Sequence, residues 1–185
     1  WRTFQVATIA NLTTRIGFGG LPFLLPILLQ TSLGYSSQQT GFLIAPMAVG
    51  LIILKLFSVR LLRWLGYKKL LIINTLLLTL SICSFTLINI GTSEWVISLL
   101  CFVFGLCTSM QFSSMNSLAY ADIPSQHISA ATSITATLQQ LAPSLGVAVS
   151  AIVIHLFSAH SNNGFILTPP IFHRAFLVMG FLTLL

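Results

Sequence analysis

Five of the eight cations in this chain fall between Lys55 and Lys69, and the sequence on either side is almost free of charge. Charged residues make up 5% of the whole, where a soluble domain of this size carries about a quarter. The remainder falls into apolar blocks, each close to the ~20 residues that cross a bilayer as helix. Cytoplasmic loops of membrane proteins collect Lys and Arg, so the cluster orients the chain as well as classing it. A hydrophobic fraction of 56% and a mean hydropathy of +0.97 exclude an ordinary water-soluble core.

The blocks predict an all-α integral membrane protein with six helices, over residues 4–30, 39–57, 70–90, 94–118 and 128–157 and from about His173 onward. With the basic stretch from Arg60 to Lys69, the second loop, read as cytosolic, alternation sends the N-terminus with Arg2, the fourth loop and the end of the sixth helix to the same side. The segments expected outside, Thr31 to Ser37 and Ser158 to Phe172, contain no Lys or Arg, which agrees. The first three helices and the last three then form triplets of opposite orientation, a recurring transporter design. No residue-level identity links the two triplets in the sequence itself. After Arg174 eleven residues remain, about 16 Å of helix. The sixth helix is therefore expected to be truncated, and residues 1–185 to be one unit of a longer protein.

Several classes are set aside at this level. The net charge of +6 is concentrated in one interhelical segment, without the aromatic–basic stripe of a nucleic-acid partner. Cys83, Cys101 and Cys107 lie inside apolar runs at no metal-ligand spacing and read as buried free thiols. His127, His155, His160 and His173 match no metal pattern, so no metal or cofactor is expected. A membrane-embedded enzyme stays open as another class, but it would want paired acids or a His/Asp/Glu cluster. The two carboxylates, Glu94 and Asp122, both sit at helix ends.

Arg15 lies some ten residues into the first span, where an Arg costs roughly 2.5–3.5 kcal/mol on insertion scales. It should point into a bundle or a wet cavity, with Asn11 one turn earlier on the same face. A substrate path and a structural contact to backbone carbonyls both fit. Gly19, Gly20, Pro22 and Pro26 follow and permit a hinge or broken helix. In the fourth span Ser109, Ser113 and Asn116 share a face, and Gln111 lies nearby. The fifth span offers Ser133, Thr137, Gln140 and Ser144. Asn11, Arg15, Gln111, Asn116 and Gln140 are the expected cavity surface. Ala142, Gly146 and Ser150 repeat every four residues, a small-residue seam for helix packing. Asp122, on the side of the basic cluster, is a candidate for a latch to Arg63.

Asn11-x-x-x-Arg15-x-Gly17-x-Gly19-Gly20-Leu21-Pro22-Phe23-Leu24-Leu25-Pro26 followed by Leu33-Gly34-Tyr35-Ser36 resembles the major facilitator superfamily. It looks most like the fourteen-span drug:proton antiporters of the EmrB/QacA type. Gln111-Phe112-Ser113-Ser114-Met115-Asn116, running on to Asp122, and Gln139-Gln140-Leu141-x-x-Ser144-x-Gly146 are similar to later segments of that group. The resemblance covers essentially the whole chain. It implies the C-terminal six-helix half of a secondary transporter, itself a 3+3 inverted repeat, in a cell membrane, namely a bacterial inner membrane.

The resemblance further implies efflux of small amphipathic organic substrates against protons, with the proton-relay acids mainly in the N-terminal half. A metabolite or siderophore exporter on the same fold is the alternative within the class. The cytosolic signature keeps its glycine and bases at Gly66 and Lys68, which with Asp122 form the expected gate. Its acid is missing and Arg63 stands one place early, about 100° around a helix.

Overall fold

The computed structural model describes residues 2–120, 128–159 and 168–184, with side chains in the first stretch placed from Thr8 to Ser117 except at 59, 63, 65 and 67. Among these residues there is no strand. Helix α1 (Arg2–Gly19) stops at Gly20, and α2 (Leu21–Ile27) restarts with Pro22 in its first turn. A proline there loses only an N–H that has no helical partner anyway. Pro26 inside α2 is followed by a π-helical turn, Leu28–Ser32, closed by Leu33 N–H donating to Leu28 O at 3.2 Å. The glycines and prolines therefore break the first span into two helices and a wide turn.

Ser36 caps α3 (Ser37–Leu65) by accepting from Gln39 N–H, while Gln39 Oε1 accepts from Ser36 N–H at 3.0 Å. This reciprocal pair satisfies donors that the first turn leaves open. The basic segment corrects the sequence expectation. Instead of a loop, α3 continues to Leu65 and α4 (Tyr67–Ser84) begins two residues later. Nothing in Arg60–Leu65 disfavours helix, so the rod extends until Gly66 turns it. Lys55, Arg60 and Arg63 thus lie on α3, and Lys68 and Lys69 open α4.

Gly66 has φ +72 and ψ 156, a region essentially closed to side chains. Gly66→Ala is expected to cost about 1–3 kcal/mol, read as a lower unfolding temperature in detergent. No atom would lie within 4 Å of the added Cβ, so the cost is backbone alone. Gly41→Ala in α3, also in open space, should cost nothing.

After a 3-10 turn (Phe85–Leu87) come α5 (Glu94–Tyr120), α6 (Ile128–Ala159) and α7 (Pro169–Leu184). Five segments are long and apolar enough to cross a membrane, while α7 is a shorter apolar helix. It starts at Pro169 rather than near His173, and His173 shares a hydrogen bond of 2.9 Å with Ile88 O beyond α4.

Helix pairing follows an exchange rule. α3 packs on α5 as α6 packs on α1, α4 on α5 as α7 on α1, and α3 on α4 as α6 on α7. α1 with α5 and α4 with α7 complete the set among these six helices, while α2, the second piece of the first span, also packs on α6. Exchanging α1/α5, α3/α6 and α4/α7 leaves the six-helix set unchanged, which is the pairing of a three-plus-three repeat. The two seams are alike in detail. Gly105 of α5 lies against Met47 O of α3, and a Cβ on Gly50 would stand 2.5 Å from Phe102 O. A Cβ on Gly146 of α6 would stand 2.7 Å from Ile16 O, and one on Gly19 2.9 Å from Pro143 Cα. Ala45-Pro46 and Ala142-Pro143 precede the glycines of α3 and α6 by four and three residues. The triplets therefore share a short residue-level signature after all.

The interior is apolar and close-packed. Phe85 meets Phe104 and Phe176 with ring centroids 5.9 and 5.6 Å apart, where α4, α5 and α7 converge. Phe42, Ile52, Leu56, Leu80, Leu99, Ile152 and Phe181 point outward. A water-soluble bundle would bury such residues; a lipid-facing one need not. The first span, Thr8–Ser32, buries much more of its surface than the Ser37–Ser58 part of α3, so it lies nearer the centre of the bundle.

Candidate functional site

Polar groups collect where α1, α5 and α6 meet. Arg15 is 5% exposed, with Nε donating to Asn11 Oδ1 one turn earlier and its guanidinium 4.1 Å above the Phe112 ring centroid. Phe112 in turn meets Phe18 edge-on at 5.4 Å. A cation over an aromatic face, shielded from water, is held by the ring quadrupole. Asn116 Oδ1 accepts from Gln139 Nε2 at 2.8 Å, tying α5 to α6 beside the Arg15 group.

Between α3 and α5 runs a groove of about 400 Å³, lined by Leu51, Ile52, Lys55, Ser109, Phe112, Ser113 and Asn116. The face expected from Ser109, Ser113 and Asn116 is its floor. Ser109 Oγ also donates to Leu51 O at 2.8 Å, pinning the two helices. Phe112 lines the groove and lies under Arg15, so a ligand there and the cation share one ring.

Gln111 lines a small crevice with Asn11 and Arg15 but also faces α4, and Gln140 lies on the exposed face of α6. Gln111 is 1% exposed and turned toward α4, accepting from Asn74 Nδ2 at 2.6 Å and donating to Thr75 Oγ1 at 3.1 Å. Asn74 Nδ2 also donates to Cys107 O at 2.9 Å. An amide satisfied at both ends ties helices together. Gln140 is exposed, and its neighbour Gln139, about 100° around the helix, makes the inward contact. The rest of that stripe, Ser133, Thr137 and Ser144, is exposed too, each hydroxyl donating to a carbonyl of its own helix. Phe112, Gln139 and Asn74 were not singled out in the sequence. A lone Asn in the Leu- and Ile-rich run of α4 was a readable signal.

Ala142, Gly146 and Ser150 are buried along the α6 face that meets the Gly19–Gly20 break, with Ser150 against Gly20. The broken first span and the small-residue seam are thus in direct contact. Gly66 and Lys68 are exposed at the turn between α3 and α4. Asp122 lies outside the described residues, as does the side chain of Arg63.

Comparison with known proteins agrees with this architecture. The family model described as Major Facilitator Superfamily matches residues 1–147. The multidrug resistance protein MdtD of Serratia proteamaculans is 34% identical over 176 residues, 95% of this chain and 36% of its own length. The transport protein HsrA of Haemophilus influenzae is 37% identical over 157 residues, 84% of this chain and 34% of its own. MdtD of Escherichia coli O157:H7 is 32% identical over 182 residues, covering 98% of this chain and 39% of that protein. The chain thus spans little more than a third of the relatives it matches. A broken central helix, glycine seams related by exchange and this match over most of the chain lead to one assignment: it belongs to the Major Facilitator Superfamily, as a multi-pass helical membrane protein.

Proposed function

We propose that residues 1–185 are the C-terminal six-helix half of a multidrug-type efflux transporter that exchanges small amphipathic organic molecules for protons by alternating access. The groove between α3 and α5 carries this reading. Its volume of about 400 Å³ falls within the ~300–1,000 Å³ of small-molecule sites. Its lining sets Leu51, Ile52 and Phe112 beside Ser109, Ser113, Asn116 and the cation of Lys55. Such a wall suits a molecule with an apolar body and a few polar groups.

The exposed stripe of Ser133, Thr137, Gln140 and Ser144 on α6 supports a two-half architecture. A row of polar side chains is disfavoured against lipid and is accommodated against a wet cavity or a second bundle. The names of the MdtD relatives favour drugs as cargo, and the bacterial sources together with the apolar spans favour a bacterial inner membrane as the setting. The coupling carboxylate belongs, on this reading, to the N-terminal half. Gly66, Lys68 and Asp122 form the cytosolic gate, and Gly19, Gly20, Pro22 and Pro26 supply the hinge.

Proteoliposomes holding the full-length protein provide the test. An imposed pH gradient should drive uptake or release of a lipophilic cationic dye, with protons moving the opposite way. Ser113→Trp, which fills the groove, should reduce dye flux at least about tenfold, as loss of ~1.4 kcal/mol of binding would. Gradient-independent flux would remove the antiport, and full flux in Ser113→Trp would remove the groove.

A further inference from the structure

Seven buried side-chain polar atoms among the described residues lack a hydrogen-bond partner, and three of them meet at one place. Arg15 Nη2, Thr8 Oγ1 and Thr135 Oγ1 belong to residues that line a single crevice between α1 and α6, with Asn11, Leu12, Leu138 and Gln139 completing the wall. Thr135 is 3% exposed and Arg15 5%. The crevice holds about 10 Å³, close to the smallest space that admits one water-sized particle.

The free hydroxyls go against local habit. On α6, Thr132, Ser133 and Thr137 each donate to the carbonyl four residues back, and on α1 Thr13 donates to Ile9 O. Thr135 and Thr8, on the same helices, do not. Their protons remain available beside the spare N–H bonds of Arg15. Asn11 Oδ1 already accepts from Arg15 Nε, and the Gln139 amide donates to Asn116. The unpartnered atoms at the crevice are therefore two hydroxyls and a guanidinium nitrogen, all able to donate.

A buried guanidinium needs a counter-charge. Among the described residues the one carboxylate is Glu94, which stands at the far end of α5, about 27 Å along the helix from Phe112, and is exposed. We propose that the crevice is a binding site for a small anion. It takes one negatively charged atom, a halide or the oxygen of a carboxylate, between the Arg15 Nη2 group and the hydroxyls of Thr8 and Thr135. Site and stoichiometry stand on these three donors and not on the transport reading.

The purified full-length protein tests this by thermal unfolding at constant ionic strength, with gluconate replaced stepwise by chloride and, in a second arm, by formate. Gluconate is too large to enter. A saturable rise in Tm with chloride identifies the free halide as occupant, and one with formate alone identifies a carboxylate oxygen. Thr135→Val should raise the half-saturating concentration about tenfold, as expected for a lost hydrogen bond to a charge. Thr137→Val, exposed on the same helix, should titrate like wild type. Arg15→Gln should abolish the saturable rise, and the Thr135/Thr137 pair decides the matter if that variant does not fold. A Tm that climbs without saturation, or identically in Thr135→Val and wild type, overturns the site. Since no transport is measured, failure here leaves the efflux reading intact, and the reverse holds.

Discussion

Gly105→Val is expected to prevent the bundle from packing, with loss of folded protein in detergent at temperatures where wild type persists. A Cβ on Gly105 overlaps Met47 O and would lie 3.0 Å from Met47 C. Both atoms are backbone, so no side chain can rotate away. Relief requires α3 to move as a body, yet α3 is held on α5 again at Gly50, whose own Cβ would stand 3.0 Å from Leu106 N. Overpacking a core costs about 1–3 kcal/mol where side chains can shift. Here the cost should reach or exceed the upper end of that range. Gly146→Val, at the exchange-related seam against Ile16 O and Gly20 N, should behave alike. Gly41→Val, in open space on α3, should leave the unfolding free energy within about 1 kcal/mol of wild type, the ordinary size of a helix-propensity change. A Gly105→Val protein as stable as wild type would mean that the two helices do not approach this closely.

How far the fold could be read in advance depends on the signal each element left. Apolar length identified the spans, because nothing but helix satisfies the backbone in lipid. The glycines and prolines between Gly17 and Pro26 announced a broken helix, and α1–α2 breaks at Gly20. The basic segment misled, since charge marks the membrane boundary but does not end a helix. Only Gly66 ends it. Side-chain direction was the least legible part of the site. Gln111 and Gln140 were expected at the cavity surface, but in a bundle polar groups are also the ties between helices, and residue type does not separate the two roles. Gln111 found Asn74 and Thr75 on α4, a partner forty residues away that no local pattern specifies. Gln140 and Gln139 differ by one position, and periodicity cannot choose between them without knowing where α1 lies.

Arg15→Met is expected to separate stability from activity. Removing the guanidinium forfeits its contact with Phe112 and its bond to Asn11, and it also removes the cost of keeping a cation out of water. Replacing a buried charge by an apolar side chain of similar length is often neutral or favourable. The thioether recovers about 0.3–1.5 kcal/mol against the ring. The net change in unfolding free energy should lie within about 1 kcal/mol, measured in gluconate so that small anions do not enter the comparison. Dye flux in proteoliposomes should fall about tenfold or more, the size expected when a charged hydrogen bond is lost. Arg15→Lys keeps the charge but loses the planar fork over Phe112 and the Nε bond, so its flux should fall between the two. The split arises because Phe112 faces two tasks, flooring the groove and seating the cation. On the proposed reading a cargo molecule that displaced this ring would displace Arg15 as well, and the seam to α6 through Asn116 and Gln139 lies directly beside it. Loss of several kcal/mol of stability in Arg15→Met would make the residue a structural pin. Undiminished flux at wild-type stability would instead detach it from the transport cycle.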